Sequence, residues 1–220
     1  MKIYVIGNIH QAEEIKKKIS DKYSIILINS LDEVAQETTA VIFDFAFDDS
    51  PDDLEQYTEL PNLHLFVNAT RISLAELLLL ADTNLPNIYG FAGDPTFLER
   101  SVIEVTAHHN NLNDAEELFS DLKLNATLVD DRVGMVTPRI IAMIINEAFY
   151  TVMEGTATRK DVDTAMKLGT NYPMGPFEWA DAWGIAPVYE LLEALHLDTK
   201  DERYKICPLL KQEYLRVAYS

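Results

Sequence analysis

Gly134-Met135-Val136-Thr137-Pro138-Arg139 opens the stretch that decides the fold, and Asn171-Tyr172-Pro173-Met174-Gly175-Pro176-Phe177-Glu178 carries its second half. From Arg139 to Met153 apolar residues fall on nearly every helical face, among them Ile140, Ile141, Ile144, Ile145 and Phe149. A helix apolar all round must be surrounded by protein. Thr137 followed by Pro138 reads as an N-cap and a proline at the first helical position, and Gly155 reads as the stop. Thr158-Arg159-Lys160-Asp161 has the spacing of a capping box with Asp in place of Glu. The helix it opens is expected to end near Gly169. Tyr172 to Pro176 then forms a rigid turn, because proline fixes its own φ and restrains the residue before it. Phe177–Trp183, Pro187–Leu195 and Leu209–Ala218 complete an all-helical region over 133–220.

Upstream, over 1–132, the texture changes. Lys2–Ile6, Ser24–Ile28, Thr39–Phe45 and Leu63–Asn68 are short aliphatic runs suited to burial on both faces of a parallel sheet. Asn87–Phe91, Val102–Ala107 and Thr127–Val129 extend the series. Helices are predicted between them over Gln11–Ile19, Asp52–Tyr57, Leu74–Ala81 and Asn113–Leu122. Ser73 with Glu76 would cap the third, and Asn113 or a neighbour the fourth. Strands alternating with helices predict an α/β, doubly wound parallel sheet of Rossmann type. It is a truncated one, since Ile28 and Thr39 lie too close for a long helical excursion between them.

Composition narrows the function classes. The formal net charge is −18, and 1–132 carries 9 Lys/Arg against 24 Asp/Glu. Nucleic acid and anionic membrane need basic patches, so neither is an expected partner. The longest dense apolar run, Leu74–Ala81, falls well short of the roughly 20 residues a membrane span requires. The opening Met1–Gly7 is too short and β-like for a signal peptide. The single Cys207 excludes an internal disulfide and suits a small buried hydrophobe in a reducing, cytoplasmic setting. No metal site is expected.

The run Asp161-Val162-Asp163-Thr164-Ala165-Met166-Lys167-Leu168-Gly169, joined to the Pro-Met-Gly-Pro-Phe-Glu turn, closely resembles the helical C-terminal domain of the 3-hydroxyacyl-CoA dehydrogenases. The resemblance implies a Rossmann domain that binds NAD and a helical domain that forms a homodimer. It also implies oxidation of a 3-hydroxyacyl-CoA by hydride transfer, with acyl-CoA as ligand. On the family's pattern, Gly7-Asn8-Ile9-His10-Gln11-Ala12 stands for the dinucleotide fingerprint G-x-G-x-x-G. Gly7 and Ala12 match it; Ile9 stands where an absent side chain lets the backbone approach the pyrophosphate. Asn29 replaces the acidic ribose ligand. Thr70 and Glu104 fall on the family's catalytic hydroxyl and carboxylate. Ala92 occupies the place of the base histidine, and Pro138 that of the catalytic asparagine. His10, His108 and His109 are the remaining histidines weighed as relocated bases. The residues favour a divergent, catalytically impaired member of acyl-CoA metabolism. An active NAD-dependent dehydrogenase and a non-catalytic dimeric interaction or CoA/nucleotide-binding subunit are the alternatives.

Overall fold

The computed structural model describes residues 1–34, 39–47, 50–60, 62–108 and 112–218. The chain divides into two compact units, Met1–Met135 and Val136–Ser220.

The first unit is a seven-stranded sheet: β1 (Lys2–Ile6), β2 (Ile25–Ile28), β3 (Ala40–Asp44), β4 (Leu63–Asn68), β5 (Ile88–Phe91), β6 (Ile103–Ala107) and β7 (Ala126–Leu128). Their order is β2-β1-β3-β4-β5-β6-β7. Along β1, Ile3 and Val5 point to one face and Tyr4 to the other, the period-two alternation of a strand buried on both sides. Helices α1 (Ile9–Lys18) and α3 (Leu112–Leu122) cover the first face. Helix α2 (Leu74–Leu80) and a 3₁₀ turn at Pro51–Tyr57, where a helix was expected, cover the second. Asn113 lies inside α3 rather than capping it.

All strand pairs are parallel except β5–β6. The expected all-parallel sheet is corrected there. A parallel return needs a crossover, usually helical, and residues 92–102 contain no helix. The sheet order reverses direction between β1 and β3, which marks the ligand crevice at the carboxyl ends of these strands. In the full doubly wound order another strand would lie outside β2; among the described residues β2 is the edge.

The second unit is helical: α4 (Thr137–Met153), α5 (Arg159–Thr170), α6 (Pro176–Trp183), α7 (Ile185–Thr199) and α8 (Pro208–Ala218). Helix α4 starts at Thr137, so Val136 holds the cap position and Thr137 does not. One face of α4 is buried through Ile141, Ala142, Ile145 and Phe149. The other is not enclosed by this unit: Ile140 and Met153 are exposed, so the protein expected to surround this helix is not supplied on that face by the unit itself. Phe177, Trp179 and Trp183 belong to the unit's own core, not to a free surface.

The Thr158–Asp161 capping box forms as predicted, but α5 runs past Gly169 to a left-handed cap at Asn171, φ 57°. The turn after it is locked from both sides. Asp163 on α5 accepts the Phe177 N–H at 2.8 Å, and Glu178 accepts the Gly175 N–H at 2.9 Å while pairing with Lys167. A Cβ on Gly175 would sit 2.4 Å from Asp163 Cβ, so only glycine fits. Buried Asn146 accepts from Cys207 N–H at 2.8 Å and donates to the Lys205 carbonyl at 2.9 Å, fastening the segment before α8.

Candidate functional site

The carboxyl edge of the sheet gathers most of the residues singled out in the sequence. Gly7 and Asn8 follow β1, Asn29 follows β2, Thr70 follows β4, Ala92 follows β5, and Glu104 opens the antiparallel β6. His108 does not belong to this group. It follows the end of β6, and β6 runs the opposite way, so four residues of strand, about 13 Å, separate it from Glu104. That removes His108 as a substitute base, and His109 lies outside the described residues.

The phosphate loop keeps its shape and uses its own donors. Helix α1 opens at Ile9, earlier than the expected Gln11, with Asn8 as N-cap. Asn8 Oδ1 accepts the Gln11 N–H at 3.0 Å, and Gln11 Oε1 accepts the Asn8 N–H at 2.8 Å. The first-turn amides of a helix are the groups that hold a phosphate. Here the capping box takes two of them, and Gln11 Oε1 lies 2.3 Å from where a Gly7 Cβ would stand. Ile9 is 68% exposed and lies over Ile25 and Leu27 of β2. Ala12 packs against the sheet core, the helix-to-strand role of the third fingerprint position. Asn29 is exposed, and its N–H donates to Glu33 Oε1 at 2.9 Å. A carboxylate thus does stand at the tip of β2, but it comes from a residue that the sequence reading passed over. These residues do not fit the pyrophosphate of NAD.

Thr70 is 1% exposed and its hydroxyl donates to Asp94 Oδ2 at 3.3 Å. Asn68 Nδ2 donates to the other Asp94 oxygen at 2.7 Å, and Asn68 Oδ1 accepts the Gly93 N–H at 3.1 Å. This buried network was missed in the sequence. The signal was there: a polar Asn68 ends an otherwise apolar strand, and Asp94 lies between a glycine and a proline.

Ala92 is 3% exposed, and its N–H donates to the Glu104 carbonyl at 3.2 Å. The β5–β6 register runs Phe91 to Val105 and Gly90 to Thr106, so position 92 lies opposite Glu104. Opposed residues of an antiparallel pair project to the same face of the sheet. A histidine at 92 would therefore have Glu104 as its neighbour, and an alanine has no proton-accepting group. Pro138 is buried in the first turn of α4 in the second unit.

One histidine does have a carboxylate partner at this edge. His10 Nε2 lies 3.2 Å from Glu99 Oε1, both side chains largely open to solvent. Asp44, at the end of β3, is buried and receives the Tyr57 hydroxyl and the Ala46 N–H. Burial raises the Asp44 carboxyl above the usual carboxylate range, opposed by these hydrogen bonds. Burial and the adjacent Asp44 also raise the Tyr57 phenol. No metal-holding cluster occurs among the described residues.

Residues 134–216 match the model of the 3-hydroxyacyl-CoA dehydrogenase C-terminal domain. This unit belongs to the 3-hydroxyacyl-CoA dehydrogenase family. The chain is similar to the 3-hydroxyadipyl-CoA dehydrogenase of Escherichia coli (strain K12), 45% identical over 87 residues, 40% of this chain and 18% of that protein. It is also similar to the 3-hydroxybutyryl-CoA dehydrogenase of Bradyrhizobium diazoefficiens, 36% identical over 96 residues, 44% of this chain and 33% of that protein. The chain thus spans about a third or less of the length of the curated relatives it matches. The crystal structure of (S)-3-hydroxybutyryl-CoA dehydrogenase from Ralstonia eutropha superposes with a TM-score of 0.74 at 20% identity, covering 99% of this chain and 94% of that one. At that identity the likeness is one of fold. Together the comparisons place an α/β Rossmann-like unit before a family helical unit. Among the described residues no helix is long and apolar enough to cross a membrane.

Proposed function

We propose that this chain is a 3-hydroxyacyl-CoA dehydrogenase-like protein of acyl-CoA metabolism, resident in the cytoplasm, that has lost hydride-transfer chemistry and acts as a self-associating subunit. The observation that carries the reading is Ala92, opposite Glu104 at the carboxyl edge, where the family pattern requires a proton acceptor. Oxidation of the substrate alcohol needs its hydroxyl proton removed, and general-base assistance contributes roughly 10²–10⁴-fold. Thr70 offers a hydroxyl already bonded to Asp94, and Glu104 alone supplies charge without the imidazole it would support. The self-capped loop at Asn8 and Gln11 supports the same reading on the cofactor side.

Self-association is assigned to the helical unit. The outer face of α4, through Ile140, Met143 and Ile144, lines an apolar groove of about 590 Å³ with Val162 and Met166. A second copy covering this groove would make a core-like, obligate interface. Light scattering at micromolar concentration should show an assembly of at least two copies, and Ile144→Lys should lower its mass by breaking the homodimer contact of this unit.

A second reading, an active dehydrogenase with a relocated base, has one observation in its favour: the His10–Glu99 pair at the same edge. Calorimetry with millimolar NAD, and NADH production from 3-hydroxybutyryl-CoA, separate the two. The impaired subunit gives no saturable heat and no NADH, with or without Ala92→His. Turnover by the wild-type chain that is abolished by His10→Ala would establish the second reading.

A further inference from the structure

Among the described residues the outer side of β2 is an open edge, and we propose that it pairs antiparallel with β2 of a second copy, joining two sheets across a two-fold axis. Among the described residues no strand lies outside β2. Its four residues, Ile25-Ile26-Leu27-Ile28, keep unbroken register with β1. A sheet edge presents a row of N–H and C=O groups, and proteins guard such rows with lysine, proline or a bulge. Beta-2 has none of these, and Leu27 is 38% exposed.

The surroundings favour a second copy over an unrelated strand. The chain enters β2 past Asp21 and Lys22 and leaves it through Asp32 and Glu33. Antiparallel pairing about a two-fold near Ile26 and Leu27 brings Lys22 of each copy toward the acidic end of the other strand. Lys22, which also holds Asp121 at 2.6 Å, keeps further donors for that contact. On the same face, α1 borders a hollow of about 180 Å³ lined by Ile9, Ala12, Glu13, Lys16, Ile25 and Leu27. The two-fold brings the α1 helices side by side, covering exposed Ile9 and placing Glu13 of each copy near Lys16 of the other. An isologous interface needs one patch complementary to itself, and this strip carries both charges in the required order.

This contact is distinct from the one assigned to α4, so each is tested separately. Leu27→Lys, in the full chain, should halve the assembly mass seen in sedimentation while leaving the far-UV spectrum unchanged. Ile26→Cys or Leu27→Cys should form a disulfide-linked dimer on mild oxidation. The wild-type chain is the control, since its single Cys207 is fully buried. Unchanged mass for a folded Leu27→Lys, or no cross-link from either cysteine variant, overturns the proposal. Should Leu27→Lys fail to fold, the cysteine variants decide alone. Loss of mass in Ile144→Lys with the cysteine cross-link retained would confirm that the two interfaces are independent.

Discussion

In the helical unit the residues of the family motif hold one another, whereas in the sheet unit the corresponding residues would have held a ligand. Asp163, Lys167, Gly175 and Glu178 are joined by hydrogen bonds, an ion pair and close packing. Changing one of them damages the fold itself. Ala92 and Asn29 stand where the family pattern has a base and an acidic ligand, and Ile9 where it has a glycine; Ala92 is buried, while Ile9 and Asn29 are open to solvent. The difference teaches why one half of the chain reads more plainly as family than the other: residues that hold the fold together are constrained by folding itself, whatever the chemistry.

The sharpest way to break this comparison is Gly175→Ala. Its new Cβ would overlap the Asp163 side chain, which caps α6 through the Phe177 N–H. Overpacking of this kind costs about 1–3 kcal/mol, and the lost cap adds about 1 kcal/mol. Thermal melting should show a clear fall. In a double-mutant cycle, Asp163→Gly removes the Cβ that stands 2.4 Å away together with the rest of the side chain, so the pair of changes should cost less than their sum. Strict additivity would mean that the Asp163–Gly175 contact does not hold the turn.

Asn146→Ala tests the same idea away from the motif. The change leaves the Cys207 N–H and the Lys205 carbonyl without their partner in a buried place. An unsatisfied buried polar group costs about 1–3 kcal/mol, so denaturant midpoints should drop by that order. Substitution of Thr70, whose buried partner Asp94 also holds Asn68, should likewise affect stability rather than activity.

How much of this was legible follows from the same distinction. The Thr158–Asp161 box and the alternation of Ile3, Tyr4 and Val5 could be read because local chemistry and period settle them. Helix α4 was overread: apolar residues on all sides do not say which side the unit itself buries, and Ile140 is left outside. Long-range partners had no local signal. Asp131 accepts the N–H groups of Leu74 and Ala75, joining Ser73 at the start of α2 from 57 and 56 residues away. Asp94 reaching Asn68 and Thr70, and the reversal of β6, likewise depend on tertiary structure.

A smaller effect sharpens the sheet unit's side. His64 on β4 stacks on Tyr89 with ring centroids 6.2 Å apart, and burial lowers its pKa from the ordinary 6.5. The unfolded chain therefore binds this proton more readily than the folded one. Its contribution to stability is present above the ordinary value and is lost as pH falls from about 6.5 through the lowered folded value. Melting temperatures measured between pH 7.5 and pH 5, an interval chosen to bracket the ordinary value of about 6.5, should decline. His64→Phe should flatten part of that decline, and an unchanged slope would rule His64 out as its source.

The smallest expected change comes from a second glycine of the motif. Gly169 lies within α5 one residue before its end, and a Cβ built there meets nothing within 4 Å. Glycine in a helix is less favourable than alanine by roughly 0.5–1 kcal/mol, mostly through the freedom it retains in the unfolded chain. Near a helix end the gain is smaller. Gly169→Ala should therefore raise the melting temperature by a degree or two, on the order expected for a few tenths of a kcal/mol. Gly175 and Gly169 stand six positions apart in one run, yet of the two only Gly175 is held by space. A stabilised Gly169→Ala beside a destabilised Gly175→Ala would locate the motif's constraint in the turn. A loss at Gly169 instead would mean that something outside the unit packs against that helix end, which would draw the interface of the helical unit toward α5.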